Sequence, residues 1–62
     1  MGFKNLNMIS SQQYRGYNIT YYSMQGTITI YGDFGLLKRF KELGEQKGLE
    51  RAKIYIDKLL NF

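Results

Sequence analysis

From Tyr14 to Tyr31 the apolar and polar positions alternate with period two, the spacing of a half-buried strand. Tyr17, Ile19 and Tyr21 share one phase, while Tyr14, Asn18, Thr20 and Tyr22 occupy the other; further on, Ile28 and Ile30 alternate with Thr27, Thr29 and Tyr31. β-Branched and aromatic residues dominate both runs, so the stretch reads as a β-hairpin. Loop length decides whether the phases agree. A two-residue loop, Gln25-Gly26, gathers Tyr17, Ile19, Tyr21, Ile28 and Ile30 on one face and Tyr14, Thr20, Tyr22, Thr27, Thr29 and Tyr31 on the other. A three-residue loop would mix them, and a one-residue slip is the error that a half-buried sheet tolerates least. The even-length loop is therefore expected, with Gly26 at positive φ. Gln25 is not a favoured turn residue, which leaves a four-residue loop of the same parity open.

Beyond Tyr31 the period changes. Gly32-Asp33-Phe34-Gly35 reads as a turn with Asp33 as a helix N-cap, and Leu36, Leu37, Phe40 and Leu43 follow at helical spacing. The pattern predicts a helix over about 34–46 with Gly48 as its C-terminal stop, although a strand within 36–48 stays open. From Leu49 the stripe Leu49, Ala52, Ile56, Leu59 and Leu60 predicts an amphipathic C-terminal helix. Ahead of the hairpin, residues 3–9 hold enough apolar side chains for a third, edge strand, and Ser10-Ser11-Gln12-Gln13 reads as a polar connector.

The expected fold is a single α+β domain over residues 1–62, a small antiparallel sheet packed against one or two C-terminal helices. Its expected core is Tyr17, Ile19, Tyr21, Ile28, Ile30, Phe40, Leu43, Leu49, Ala52, Ile56, Leu59 and Leu60. With 62 residues and no cysteine or histidine, neither a disulfide nor a common zinc framework can staple the fold. No apolar run approaches the roughly 20 residues of a membrane helix, and no signal-peptide core is visible. A cytoplasmic protein without membrane attachment is expected.

Lack of histidine and cysteine also removes the common routes to nucleophilic catalysis. The carboxylates Asp33, Glu42, Glu45, Glu50 and Asp57 are scattered among lysines and arginines, as on a solvated face. No enzyme activity, no cofactor and no metal are expected.

Two short stretches, Tyr14-Arg15-Gly16-Tyr17-Asn18-Ile19 and Leu49-Glu50-Arg51-Ala52-Lys53-Ile54-Tyr55-Ile56-Asp57, resemble a pattern in small, mostly uncharacterised phage and prophage proteins. The resemblance implies a tyrosine-rich β-meander followed by one helix, and an accessory protein that binds and blocks a host protein. The helical spacing from Leu36 to Gly48 departs from that layout.

Two binding surfaces are candidates. Tyr14, Tyr22, Thr29 and Tyr31 lie on the hairpin face opposite the expected core, and tyrosine suits interfaces because it joins a large apolar area to a polar handle. A partner protein or a second copy of the chain, making a homodimer, is expected there; the plain alternative is that this face packs on the N-terminal segment. Net charge is +4, concentrated in the C-terminal half, so Lys38, Arg39, Lys41, Lys47 and Arg51 are candidates for phosphate contacts in a nucleic-acid-binding protein. Interleaved acids make a solvated helix face the simpler reading of these charges.

Overall fold

The computed structural model describes residues 9–61. Four strands, β1 (Ile9–Tyr14), β2 (Tyr17–Tyr22), β3 (Thr27–Gly32) and β4 (Gly35–Lys41), form one antiparallel sheet in the order β1-β2-β3-β4, and one helix, α1 (Glu45–Leu60), follows. The chain is α+β: a sheet with a C-terminal helix on one face.

The hairpin has the expected parity in a different register. Ile19 faces Ile30, Thr20 faces Thr29, and Tyr22 faces Thr27, so the loop is the four residues 23–26. Gly26 has φ 59°, and its carbonyl accepts the Glu42 N–H at 2.9 Å, which ties the loop to the end of β4. The longer loop keeps the apolar phases together because it changes the register by two.

The segment expected as a helix over 34–46 is instead the turn at Asp33-Phe34, strand β4 and the link to α1, with only Glu45 and Gln46 of that segment in the helix. Asp33 therefore caps no helix. Ile28 and Ile30 of β3 are fully buried, and the outer N–H and C=O groups of their strand need partners, which β4 supplies. Phe40 sits opposite Ile28 and Lys38 opposite Ile30, but Tyr31 meets Leu36, so Leu37 is an extra residue in a bulge. That bulge sets two leucines side by side and imitates helical spacing. Only Phe40 of the four apolar residues packs against the core; Leu36, Leu37 and Leu43 are exposed.

A third strand does lie beside the hairpin, but it is made of the expected connector. β1 runs from Ile9 through Ser10-Ser11-Gln12-Gln13 to Tyr14, paired with β2 from Ile9↔Tyr22 to Tyr14↔Tyr17. The strand expected at 3–9 falls, apart from Ile9, outside the described residues. An edge strand is held by its ladder on one side and can be polar, which is why its alternation is weak.

Helix α1 lies across β2 and β3 with Gly48, Ala52 and Ile56 buried, one turn apart. Gly48 is no helix stop. A Cβ there would stand 2.8 Å from Ile28 Cγ1 and 2.9 Å from its Cδ1, so glycine lets the helix backbone rest on the sheet. Ile19, Tyr21, Ile28, Ile30, Ala52 and Ile56 form the buried core, with Tyr17, Phe40 and Leu49 partly buried against it. Each fully buried isoleucine contributes about 1.5–3 kcal/mol. Leu43 is 83% exposed in the link before the helix, and Leu60, at the last helical position, is also exposed, so neither joins the core.

Polar ties fix the helix near both ends. The Tyr14 hydroxyl donates to Asp57 Oδ1 at 2.9 Å and Oδ2 at 3.1 Å, and Arg15 Nη1 donates to Oδ1 at 2.8 Å. Near the helix start, Arg51 Nη1 donates to Glu42 Oε1 at 2.6 Å while its guanidinium lies 5.0 Å from the Phe40 ring centre. Tyr21 Oη accepts the Gly44 N–H at 3.1 Å, joining the core to the helix entry. The hydrogen bond from Arg15, then that from Tyr14, holds the Asp57 carboxyl below its ordinary range; the bond to Asp57 raises the Tyr14 phenol.

Gly48→Ala is expected to destabilise the fold by about 1–3 kcal/mol in chemical denaturation, because overpacking against Ile28 outweighs the roughly 1 kcal/mol of helix propensity that alanine gains. Asp57 has a depressed folded pKa, so its contribution is full above the ordinary aspartate value near 4 and is lost as pH falls through the lower folded value. Tyr14 has a raised pKa, so its contribution is full below about pH 10 and is lost as pH rises through the folded value. Denaturation midpoints against pH are expected to fall at both ends in the wild type, and Asp57→Asn is expected to flatten both limbs.

Candidate functional site on the open sheet face

The strand registers place every other side chain on the face away from α1. β1 contributes Ile9, Ser11 and Gln13, β2 contributes Asn18, Thr20 and Tyr22, β3 contributes Thr27, Thr29 and Tyr31, and β4 contributes Arg39 and Lys41, with Leu36 opposite Tyr31. Tyr22, Thr27, Thr29, Tyr31, Arg39 and Gln25 of the loop line a shallow pocket of about 280 Å³ on this face. Thr29, only 2% exposed, lies at its floor; Tyr22 is half-buried, and Tyr31 and Arg39 are exposed.

Two threonines face each other at the centre of the sheet with different fates. Thr20 Oγ1 donates to Asn18 Oδ1 at 3.1 Å and lies 3.1 Å from Ser11 Oγ. Thr29 Oγ1 is buried and has no hydrogen-bond partner among the described residues. A buried hydroxyl without a partner costs about 1–3 kcal/mol.

Of the four expected interface residues, the fold brings Tyr22, Thr29 and Tyr31 together and sends Tyr14 elsewhere. In sequence Tyr14 stands three residues before Tyr17, which puts them on opposite faces if one strand runs through both. The chain reverses at Arg15-Gly16, with Arg15 at φ 51° and Gly16 at φ 88°, so Tyr14 and Tyr17 become cross-strand partners on the same, helix-facing side. There Tyr14 is committed to Asp57, and the Lys53 ammonium lies 5.5 Å from its ring centre.

The five expected phosphate-contact residues do not form one surface. Lys38 lies on the helix side with its ammonium 5.8 Å from the Tyr55 ring centre, Arg51 is paired with Glu42, and Lys47 is exposed on α1. Arg39 and Lys41 stand on the open face. Their position beside the tyrosines was not visible in the sequence, because it requires β4 to be a strand. None of the five carboxylates of the chain lies in a strand, so the open face carries two cations and no strand acid.

Among the described residues no cluster of three histidine, cysteine, aspartate or glutamate side chains could hold a metal ion, and no helix is long and apolar enough to cross a membrane. Comparison with protein-family models, with curated proteins and with solved structures finds no match to this chain.

Proposed function

We propose that this chain is a non-enzymatic protein-binding module whose open sheet face docks a partner protein in the cytoplasm. One observation carries the reading: α1 covers one face of the sheet, while the other presents Tyr22 and Tyr31 around a pocket that no described element covers. The resemblance to small phage-type proteins supports an accessory or inhibitory role, in which occupying a host protein's surface is the whole activity. A second copy of the chain is the other partner this face suits, through a homodimer.

A nucleic-acid reading has one observation in its favour. Arg39 and Lys41 stand beside two tyrosines on a face without strand carboxylates, which suits stacked bases and a phosphate backbone. Two cations are few for that purpose, since nucleic-acid affinity comes mainly from many phosphate contacts.

Tyr22→Ala and Tyr31→Ala are each expected to change folding stability by less than about 1 kcal/mol while weakening binding by about 2 kcal/mol, the effect of losing an interface anchor. Immobilised wild type and variants exposed to host lysate, with captured proteins identified by mass spectrometry, read the binding; sedimentation equilibrium reads self-association. Equal loss of stability and binding would place the rings in the core and end the proposal. Titration of labelled oligonucleotides at two salt concentrations decides the nucleic-acid reading, which no binding at low salt would remove.

A further inference from the structure

Thr29 could be valine as far as the sheet is concerned. Both residues are β-branched and suit a strand, yet threonine buries a hydroxyl that nothing among the described residues satisfies. On the same face, directly across the strand pair from Thr29, stands Arg39, exposed and without an ion pair among the described residues. A neutral donor and a permanent cation thus line the same shallow pocket as two tyrosines. The rest of the face supplies Lys41 and no strand acid to compete for these donors.

We propose that this pocket receives an aspartate or glutamate side chain from an extended segment of the partner protein. The guanidinium of Arg39 donates to the carboxylate; rotation of Thr29 about χ1 turns its hydroxyl to the same group, and the rings of Tyr22 and Tyr31 exclude water on either side. An extended segment lying over the open face brings an acidic side chain above Arg39 and Thr29, with Lys41 two residues further along β4. An acidic protein segment fits better than nucleic acid because Arg39 and Lys41 are too few cations for a phosphate backbone, whose affinity comes from many contacts. The proposal rests on the protein-binding reading above and specifies the chemistry of the partner.

The test uses the full chain and short labelled peptides of alternating threonine and glutamate, with matched peptides in which glutamine replaces glutamate and a labelled oligothymidylate as the nucleic-acid arm. Fluorescence anisotropy is expected to show the glutamate peptide binding about tenfold or more tightly than the glutamine peptide, with the preference weakening as salt rises. Arg39→Gln is expected to abolish the preference. Thr29→Val separates a ligand-binding hydroxyl from a structural one: it should weaken glutamate-peptide binding about tenfold while raising the thermal midpoint by about 4 °C or more. Equal binding of the two peptides, retention of the preference in Arg39→Gln, a lower midpoint in Thr29→Val, or binding of the oligothymidylate alone would each overturn the acidic-segment proposal. The broader protein-binding reading stands or falls separately, on capture by the Tyr22→Ala and Tyr31→Ala variants.

Discussion

Everything in this fold depends on how closely one helix can approach one sheet. A chain of 62 residues without cysteine has no disulfide to help it, so its core must be packed without waste. The sheet presents large side chains, Ile19, Tyr21, Ile28 and Ile30, and the helix answers them with Gly48, Ala52 and Ile56, small where the axes come closest and larger toward the C-terminus. Size is complementary across the interface. The Ile28 side chain fills the space where a Cβ at Gly48 would be, so each excludes the other's enlargement. A helix held further out would strip Ile28 of contacts on one side, and dispersion falls away steeply with such a gap. The two polar ties, Asp57 to Tyr14 and Arg15, and Arg51 to Glu42, then fix the angle at which the helix lies.

A single helix covers a single face. No described element covers the other face of the sheet, and its composition suits water or a partner: threonine and tyrosine keep strand propensity while offering hydroxyls. Its centre is nonetheless dry, with Thr20 at 7% and Thr29 at 2% exposure. Thr20 resolves its burial by hydrogen bonding within the sheet, and Thr29 does not. The cost of that hydroxyl is borne by the packing on the opposite side, where Ile28 and Ile30, its immediate neighbours in β3, are fully buried. Stability made at Gly48 and Ile28 thus sustains an unsatisfied group one strand position away, on the side where binding is proposed.

How far the sequence disclosed this arrangement follows from the range of each signal. Parity between residues 17 and 30 gave the core face and the positions of Tyr22, Thr29 and Tyr31, because alternation is a local property that survives a register change of two. Gly26 was legible for the same reason, as a loop of even length needs a residue at positive φ near its end. The bulge at Leu37 defeated the reading of β4: one inserted residue turns period two into something close to period 3.6 over a short run. Gly48 was read through propensity alone, whereas its role is a contact with Ile28, twenty residues away in the sequence. Tyr14 was misplaced by a reversal two residues long, and Arg39 could not be assigned to the open face until β4 existed.

The two edges of the sheet differ in a way that bears on what can pair with them. β1 carries no charged residue, whereas β4 carries Lys38, Arg39 and Lys41 without an acid. Antiparallel pairing of two β4 strands about a two-fold axis would set cations against cations, and like charges directly opposite destabilise such a pair. Exposed cations are a common means of blocking edge-to-edge association. Pairing of two copies through the β4 edge is thus disfavoured, whereas the same cations, Arg39 above all, suit the acidic segment proposed for the open face.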